Sequence, residues 1–335
     1  MTVVRPIWEA LIDGAKYCEP QLRAIVDRVK PDVTIIDNVL TFPAMVTAGV
    51  PYVRIVSCNP LEVEPCDRIP PLLGGLAMDR AEEWPAFRES YRRTHRELWE
   101  NYNEWVQSQG TRPLPDMEFI HSGALNLYVY PEELDYTKER PLDSTWQRLD
   151  SSVRQTEQEA PQLPDSFTDG SLPLVYFSLG SLGSADVALM RRVIDALAGV
   201  PMNIIVSKGP LGEEIELASN MWGADFLSQT TILPLVDLVI THGGNNTVTE
   251  AMHFGKPMIL LPLFWDQHDN AQRVSECGFG RRLSTYGFTA PELRRAAEEL
   301  LADTDLRQRL RGIGESIRKR DGLGRAATLL ERIAS

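Results

Sequence analysis

A glycine turn with polar side chains on both sides is the segment of this sequence whose residue types best suit chemistry. It runs from His242 through Gly243 and Gly244 to Asn246 and Thr247, and it follows an apolar segment. Glycines let backbone N–H groups approach an anion closely, and the first turn of a helix adds further donors. A helix end contributes about 0.3 to 1 kcal/mol toward a bound phosphate, so several donors must act together. On these residues alone, an anion site and an ordinary strand-to-helix turn are equally supported.

A second polar cluster follows the next apolar segment of the chain. That segment covers residues 258–261, and the cluster runs from Asp266 and Gln267 to Asn270. Ligands of open α/β sheets bind beyond the carboxyl ends of the strands, so we expect the two clusters at one edge of a sheet. Together they can hold a diphosphate and a sugar.

Short apolar segments alternate with helical patterns along the chain, which predicts two doubly wound α/β domains with parallel sheets. Strands are predicted at 33–36, 52–57, 125–130, 174–178, 203–206, 235–240 and 258–261. Residues 78–107 are predicted to form long amphipathic helices. Residues 151–172 combine prolines with Ser, Gln, Glu and Asp and predict a linker, which separates a domain at 1–150 from one at 173–335. The cleft between two such domains is the default ligand site.

The charge balance argues against two classes of partner. The chain has 34 basic and 47 acidic residues and a net charge of -13, which disfavours nucleic acid or an anionic membrane surface as the main partner. No segment reaches the roughly 18 apolar residues of a membrane span, and the N-terminus lacks the features of a signal peptide. The four cysteines show no paired spacing, which predicts a cytoplasmic protein. The oligomeric state stays open.

No cofactor or metal is predicted, because the five histidines form no ligand cluster. Asp303-Thr304-Asp305 has a spacing that some metal-dependent enzymes use, but its position between two helical patterns favours helix capping. Gly322 to Ala327 matches a relaxed dinucleotide fingerprint without a preceding strand, so it is interpreted as a helix start. Thr289 to Glu292 predicts a capping box.

The segment from Val236 to Asn270 resembles the donor-binding signature of the UDP-glycosyltransferases, which use nucleotide sugars. The residues that carry the resemblance are His242-Gly243-Gly244, Glu250-Ala251, Gly255-Lys256-Pro257, Pro262 and Asp266-Gln267. It implies the GT-B architecture, in which two Rossmann-like domains face each other across a cleft, with an acceptor-binding domain first and a donor-binding domain second. It also implies an inverting, metal-independent enzyme with a nucleotide sugar as co-substrate.

The family pattern assigns separate parts of the donor to this segment. It implies that His242, Asn246 and Thr247 contact the diphosphate at the turn formed by Gly243 and Gly244. Glu250 falls where the family binds the ribose hydroxyls. Asp266 and Gln267 fall where the family binds hydroxyls of the transferred sugar; without the resemblance they would be a polar strand exit.

Two upstream segments are similar to further parts of the family's donor site. Phe226, Leu227 and Gln229 fall where the nucleobase and ribose are held, although Ser228 replaces the usual proline, so uridine and thymidine donors both remain open. Ser181 follows a glycine after the predicted strand at 174–178 and falls at a possible phosphate ligand. An ordinary helix N-cap is the alternative for Ser181.

The catalytic part of the resemblance is incomplete. In this family a His in a glycine-rich loop takes the acceptor proton and is oriented by an Asp. Asp37 falls at the orienting position, with a helix cap as the alternative, but no His in this sequence lies in such a loop. We therefore expect the chain to begin roughly three strand–helix units, of roughly 30 residues each, later than complete family members.

The predicted function is the transfer of a hexose from a UDP-sugar, or a dTDP-sugar, to a hydroxyl of a small apolar acceptor. Losing a positioned base costs about 10²- to 10⁴-fold in rate, so donor binding can persist without turnover. A nucleotide-sugar-binding module that lacks its own base is therefore one alternative. A sugar-nucleotide epimerase of the same architecture is another.

Overall fold

The chain forms two compact units in a computed structural model that describes residues 4–150, 152–154 and 161–335. Within these ranges the first unit comprises Met1–Tyr130, Asp135–Asp150 and Asp321–Ser335, and the second comprises Pro131–Leu134 and Ser151–Arg320. Both units contain a parallel sheet with helices, so the predicted α/β class is confirmed. None of the described helices has the length and apolar composition that a membrane crossing requires.

The first unit is built on a parallel sheet whose described strands follow the order β1-β2-β3-β4. Its elements before the second unit are α1 (Val4–Val29), β1 (Thr34–Asp37), α2 (Pro43–Val46), β2 (Tyr52–Val56), α3 (Trp84–Ser108), β3 (Leu125–Tyr128) and β4 (Trp146–Arg148). The predicted helical region at 78–107 corresponds to one long helix, α3, preceded by a short 3-10 turn. The strand β4 was not predicted, because its three residues, Trp-Gln-Arg, carry no apolar run.

The second unit has the larger described sheet, in the order β10-β9-β8-β5-β6-β7. Its elements are α4 (Asp165–Thr168), β5 (Leu174–Ser178), α5 (Gly180–Gly183), α6 (Val187–Leu197), β6 (Asn203–Ser207), β7 (Met221–Ala224), α7 (Gln229–Ile232), β8 (Leu238–Thr241), α8 (Asn245–His253), β9 (Met258–Leu260), α9 (Gln267–Glu276), β10 (Gly280–Arg282), α10 (Ala290–Ala302) and α11 (Thr304–Arg318). Every residue of β5, β8 and β9 is buried, as expected for parallel strands covered on both faces.

The order of the second sheet sets the position of its ligand crevice. The chain builds outward from β5 through β6 to β7, then returns to the other side of β5 and builds outward again from β8 to β10. The direction of winding therefore reverses between β5 and β8. In open α/β sheets ligands bind at this reversal, beyond the carboxyl ends of the two strands.

The last helix, α12 (Gly322–Ala334), belongs to the first unit, which corrects the predicted domain at 173–335. Ala326 is buried in a cluster with Val53 and Leu125, and three further apolar residues of α12 pack against that cluster: Leu329, Leu330 and Ile333. The amphipathic pattern of α12 predicted a helix correctly. It could not show that the apolar face of the helix packs on the first sheet.

Candidate functional site

Three turns of the second unit begin side by side at the carboxyl edge of its sheet. Ser178, the last residue of β5, is in register with Thr241, the last residue of β8, and Thr241 is in register with Leu260 at the end of β9. The chain leaves each strand at this edge. The segments that contain Ser181, His242 and Asp266 therefore start from neighbouring positions at the winding reversal.

The imidazole ring of His242 lies between two glycines. A Cβ atom on Gly180 would lie 2.8 Å from the ring Cε1, and one on Gly244 would lie 2.5 Å from the ring Nε2. Both distances are shorter than the contacts that real Cβ atoms make, so a side chain at either position would displace the ring. Gly180 also has a φ of +70°, a left-handed conformation that other residues rarely adopt. The ring position therefore depends on glycine at both sites.

His242 is uncharged at neutral pH. Burial lowers the pKa of its imidazole to about 4, against the opposing effect of a hydrogen bond with the backbone of Ser178. The Oγ1 of Thr241 lies 3.3 Å from the ring Nδ1. A neutral imidazole offers one N–H donor and one acceptor, so His242 contributes a hydrogen bond to this site rather than a positive charge.

The helix α8 points its N-terminus toward the same edge. Gly243 turns the chain with a φ of +83°, and Gly244 is the N-cap of α8. Because Gly244 has no side chain, no side-chain oxygen at the cap position competes for the N–H groups of the first turn. Asn246 is exposed on that turn, whereas Thr247 is buried. The turn therefore has the backbone donors that an anion site needs.

Thr247, Glu250 and Gln229 form a hydrogen-bonded cluster beside the turn. The Nε2 of Gln229 donates to the Oγ1 of Thr247 over 3.2 Å and to the Oε2 of Glu250. Glu250 is only 5% exposed, and the Nε of Arg154 lies 3.8 Å from its Oε1. The structure thus brings together residues that are more than 15 positions apart in the sequence. Their carboxylate, hydroxyl and amide groups suit the hydroxyls of a ribose.

The segment at 226–229, which supplies Gln229 to this cluster, also presents an exposed aromatic ring. Phe226 is 71% exposed, Leu227 is half-buried, and Gln229 begins the short helix α7. An exposed ring in this setting offers a flat surface on which a planar base can stack.

Asp266 and Gln267 lie at the start of α9 and are tied to the His242 turn. The Nδ2 of Asn270 donates to the carbonyl of Gly243 over 3.0 Å and to the Oδ2 of Asp266 over 3.3 Å. The Oε1 of Gln267 accepts the backbone N–H of Leu263 over 2.9 Å, which fixes its side chain. Asp266 and Gln267 are 7% and 5% exposed. The two predicted clusters are therefore parts of one arrangement.

A strained residue precedes Asp266. Trp265 has a φ of +55°, although it is not a glycine. A left-handed conformation costs an ordinary residue about 1 to 2 kcal/mol, and such conformations gather at functional sites. The tight turn that places Asp266 at the head of α9 requires this conformation.

Other predicted residues stand apart from these contacts. Ser181 is exposed on α5, and the N-cap of that helix is Leu179, so the alternative role of Ser181 as a cap is wrong. Asp37, in the first unit, is exposed and accepts a hydrogen bond from the Ser57 hydroxyl over 2.6 Å. It does not cap α2, whose N-cap is Phe42.

The structure confirms three predictions of local structure near the C-terminus. Asp303 caps α11 by accepting the N–H of Leu306 over 2.8 Å. Gly322 begins α12. The capping box of Thr289 and Glu292 begins α10.

Arg154 and Asn270 had no predicted role at this site. Arg154 lies in the predicted linker, and nothing in its sequence surroundings indicated that it approaches Glu250. Asn270 lies within the recognised segment, four residues after Asp266, and residues four apart on a helix are neighbours. That spacing was the available signal for its contact with Asp266.

Comparisons with known proteins show that this chain is similar to glycosyltransferases in sequence and in fold. A family model described as UDP-glucoronosyl and UDP-glucosyl transferase matches residues 151–312. The oleandomycin glycosyltransferase of Streptomyces antibioticus is 28% identical over 333 residues, which cover 96% of this chain and 72% of that protein. The crystal structure of a glycotransferase of kitacinnamycin superposes with a TM-score of 0.76 at 24% identity and covers 98% of this chain and 82% of its own. The spinosyn rhamnosyltransferase SpnG, solved with thymidine diphosphate, has a TM-score of 0.68 at 17% identity, with 99% and 82% covered.

Proposed function

We propose that this chain, which is similar to the UDP-glycosyltransferases in sequence, is a member of that family. It would transfer a hexose from a UDP-sugar or a dTDP-sugar to a hydroxyl group of a small apolar acceptor, with inversion and without a metal ion. The observation that carries the proposal is the convergence of three turns at the winding reversal of the second sheet. This arrangement brings together hydrogen-bond donors for a diphosphate, hydrogen-bond acceptors for a ribose and polar side chains for a sugar.

The diphosphate is assigned to the first turn of α8 and to His242. The backbone N–H groups at that helix end favour negative charge, and Asn246 and Thr247 add side-chain donors. His242 adds a neutral hydrogen-bond donor when its single N–H faces the phosphate instead of the backbone of Ser178, since burial lowers its pKa to about 4. Because the ring is confined by Gly180 and Gly244, little entropy is lost when it contacts the phosphate.

The nucleoside is assigned to Glu250, Gln229 and Phe226. The buried carboxylate of Glu250 accepts the ribose hydroxyls, with Gln229 already hydrogen-bonded to it. Phe226 and Leu227 provide an apolar surface for the base. A uracil and a thymine present similar faces to such a surface. The similar structure of SpnG was solved with thymidine diphosphate, so the proposal includes both uridine and thymidine donors.

The transferred sugar is assigned to Asp266 and Gln267. A carboxylate can accept two sugar hydroxyls, and the amide of Gln267 can donate to another oxygen. Asn270 and the backbone N–H of Leu263 fix these two side chains before a sugar arrives. Such prior ordering favours the discrimination of one hexose from its epimers.

The reaction forms a bond between the acceptor oxygen and the anomeric carbon while the bond from that carbon to the diphosphate breaks. The electron pair of the broken bond leaves on the diphosphate, where the N-terminus of α8 stabilises the charge. Attack opposite the leaving group inverts the anomeric centre. The acceptor proton passes to a general base, and we assign Asp37 the orientation of that base. The His that fills this role in the family has no counterpart in this sequence.

Two variants test the assignment within the second unit. His242→Ala should weaken UDP binding by about 10- to 150-fold, the value of one hydrogen bond to a charged group of about 1.5 to 3 kcal/mol. Asp266→Ala should leave UDP binding intact and strongly reduce use of the UDP-sugar, because Asp266 is assigned to the sugar alone. Asp305→Ala, an exposed carboxylate on α11, is the matched control. Calorimetry measures UDP binding, and mass spectrometry measures transfer to phenolic, sterol and macrolide acceptors. Unchanged donor affinity and donor use in both variants would refute the site.

A further inference from the structure

The side chains assigned to the donor carry little positive charge for a diphosphate. His242 is uncharged at neutral pH, because burial lowers its pKa to about 4. Glu250 and Asp266 are buried carboxylates, and the whole chain has a net charge of -13. A helix N-terminus supplies only a partial positive charge. A cation near the first turn of α8 would therefore complete the site.

Arg154 is a cation that lies beside this turn. Its Nε lies 3.8 Å from the Oε1 of Glu250, and both residues belong to the second unit. The preceding residue, Val153, is buried. The burial of Val153 holds the backbone against the protein at this point, so the Arg154 side chain starts from a fixed position.

The contact with Glu250 brings Arg154 close to the anion-binding end of α8. Glu250 and Thr247 are three residues apart on this helix, less than one turn, so their side chains lie on the same face. The Nε2 of Gln229 joins them by donating to the Oγ1 of Thr247 over 3.2 Å and to the Oε2 of Glu250. Arg154 approaches the other oxygen of Glu250. A long arginine side chain at this position can reach a phosphate at the first turn.

The contact between Arg154 and Glu250 leaves room for an exchange of partners. A separation of 3.8 Å is an ion pair, but it is longer than a hydrogen bond. The Arg154 side chain is 54% exposed, so it can turn toward a bound phosphate. A ribose hydroxyl can then take its place beside the Oε1 of Glu250.

Two other cations at the carboxyl edge of the sheet face carboxylates that are not assigned to the donor. The Nζ of Lys208 lies 3.3 Å from the Oδ1 of Asp225. Arg282 donates to the Oε1 of Gln272 over 2.9 Å, and the charge of Asp269 acts on its guanidinium. Arg154, in contrast, faces the carboxylate that is assigned to the ribose. It is therefore the cation whose partner changes when a nucleotide binds.

We propose that Arg154 binds the diphosphate of the donor, while Glu250 accepts the ribose hydroxyls that replace Arg154 beside it. The proposal rests on the function proposed above. A guanidinium presents a fork of N–H groups that matches the oxygens of a phosphate. Because the diphosphate departs with the electron pair of the broken bond, the same contact stabilises the leaving group.

A role limited to Glu250 leads to a different expectation. A cation that only orients or neutralises Glu250 acts on the ribose, so its removal weakens uridine, UMP and UDP equally. A cation that contacts the diphosphate acts more strongly as phosphates are added. Comparison of these three ligands therefore separates the two roles.

Binding of uridine, UMP and UDP to the full chain tests the proposal without any need for turnover. In Arg154→Gln, the affinity for UDP should fall about tenfold and that for uridine by less than about twofold, with UMP between them. Arg154→Lys should recover part of the loss, because it restores the charge without the fork. Added salt should weaken UDP binding more in the wild type than in Arg154→Gln. Calorimetry measures UDP and UMP, and NMR titration measures the weaker binding of uridine.

Arg295→Gln is the matched control, because Arg295 is exposed on α10 and its replacement changes the net charge by the same amount. It should leave all three affinities unchanged, and circular dichroism should show that the variants fold like the wild type. An equal loss of uridine and UDP affinity in Arg154→Gln, or unchanged UDP affinity, would overturn this proposal alone. A wild type that does not bind UDP would instead refute the function proposed above, and this inference with it.

Discussion

Gly180→Ala should impair donor binding by displacing His242. The added methyl would lie 2.8 Å from the ring Cε1, whereas ordinary contacts begin at 3.4 Å, so the ring must retreat by 0.6 Å (3.4 − 2.8). A hydrogen bond of about 2.9 Å from the ring to a phosphate oxygen would stretch to about 3.5 Å, beyond the effective range. Loss of a hydrogen bond to a charged group costs about 1.5 to 3 kcal/mol. UDP affinity should therefore fall by about 10- to 150-fold.

Gly199→Ala separates this effect from the backbone penalty. Gly199 has a φ of +68°, close to the +70° of Gly180, but a Cβ there would meet nothing within 4 Å. Both variants should therefore lose about 1 to 2 kcal/mol of stability from the left-handed conformation. Thermal unfolding measures that common loss, and calorimetry with UDP measures the difference. Equal UDP affinity in the two variants would refute the claim that the position of the His242 ring matters for the donor.

Three further predictions concern the ribose, acid stability and the last helix. Glu250→Gln should lose the preference for UDP over deoxyuridine diphosphate, which we expect to be roughly tenfold in the wild type, and competition binding measures it. His242 has a folded pKa of about 4, below the ordinary 6.5, so the unfolded chain takes up its proton first as the pH falls from 6.5 to 4. This destabilises the fold by up to about 3 kcal/mol at low pH, and His242→Asn should show a smaller loss in denaturant titrations. Ala326→Asp should destabilise the first unit by more than about 2 kcal/mol, whereas Ala327→Asp, at an exposed position, should change stability by less than about 0.5 kcal/mol; hydrogen exchange in β3 checks both.

The strand-to-helix turns of the second unit could be predicted because their signals are local. The apolar run before His242, the two glycines and the polar first turn of α8 are contiguous in the sequence. Parallel strands that are covered on both faces also give clear apolar runs, as β5 and β8 do. Short strands without such runs, such as β4 and β10, were missed.

Contacts between distant segments could not be predicted. The confinement of His242 by Gly180 joins residues 62 positions apart, and Arg154 reaches Glu250 from a segment that resembled a linker. The position of Arg54 inside an apolar strand likewise gave no sign of its buried pairing with Glu62. The spacing of residues in the sequence predicts which side chains follow a strand. It does not predict which side chains of different strands and loops come into contact.

The return of α12 to the first unit determines how this protein can be divided. The core of the first unit combines residues from the N-terminal part and the C-terminal helix of the described chain, since Ala326 packs with Val53 and Leu125. A fragment that contains the second unit alone should therefore end at Arg320, because one that runs to Ser335 would include α12 without the sheet that covers its apolar face. A chimera that exchanges the first unit between similar proteins must likewise exchange residues 321–335 together with the N-terminal segment. Substitutions in these two segments should then compensate for one another, although the whole second unit separates them in sequence.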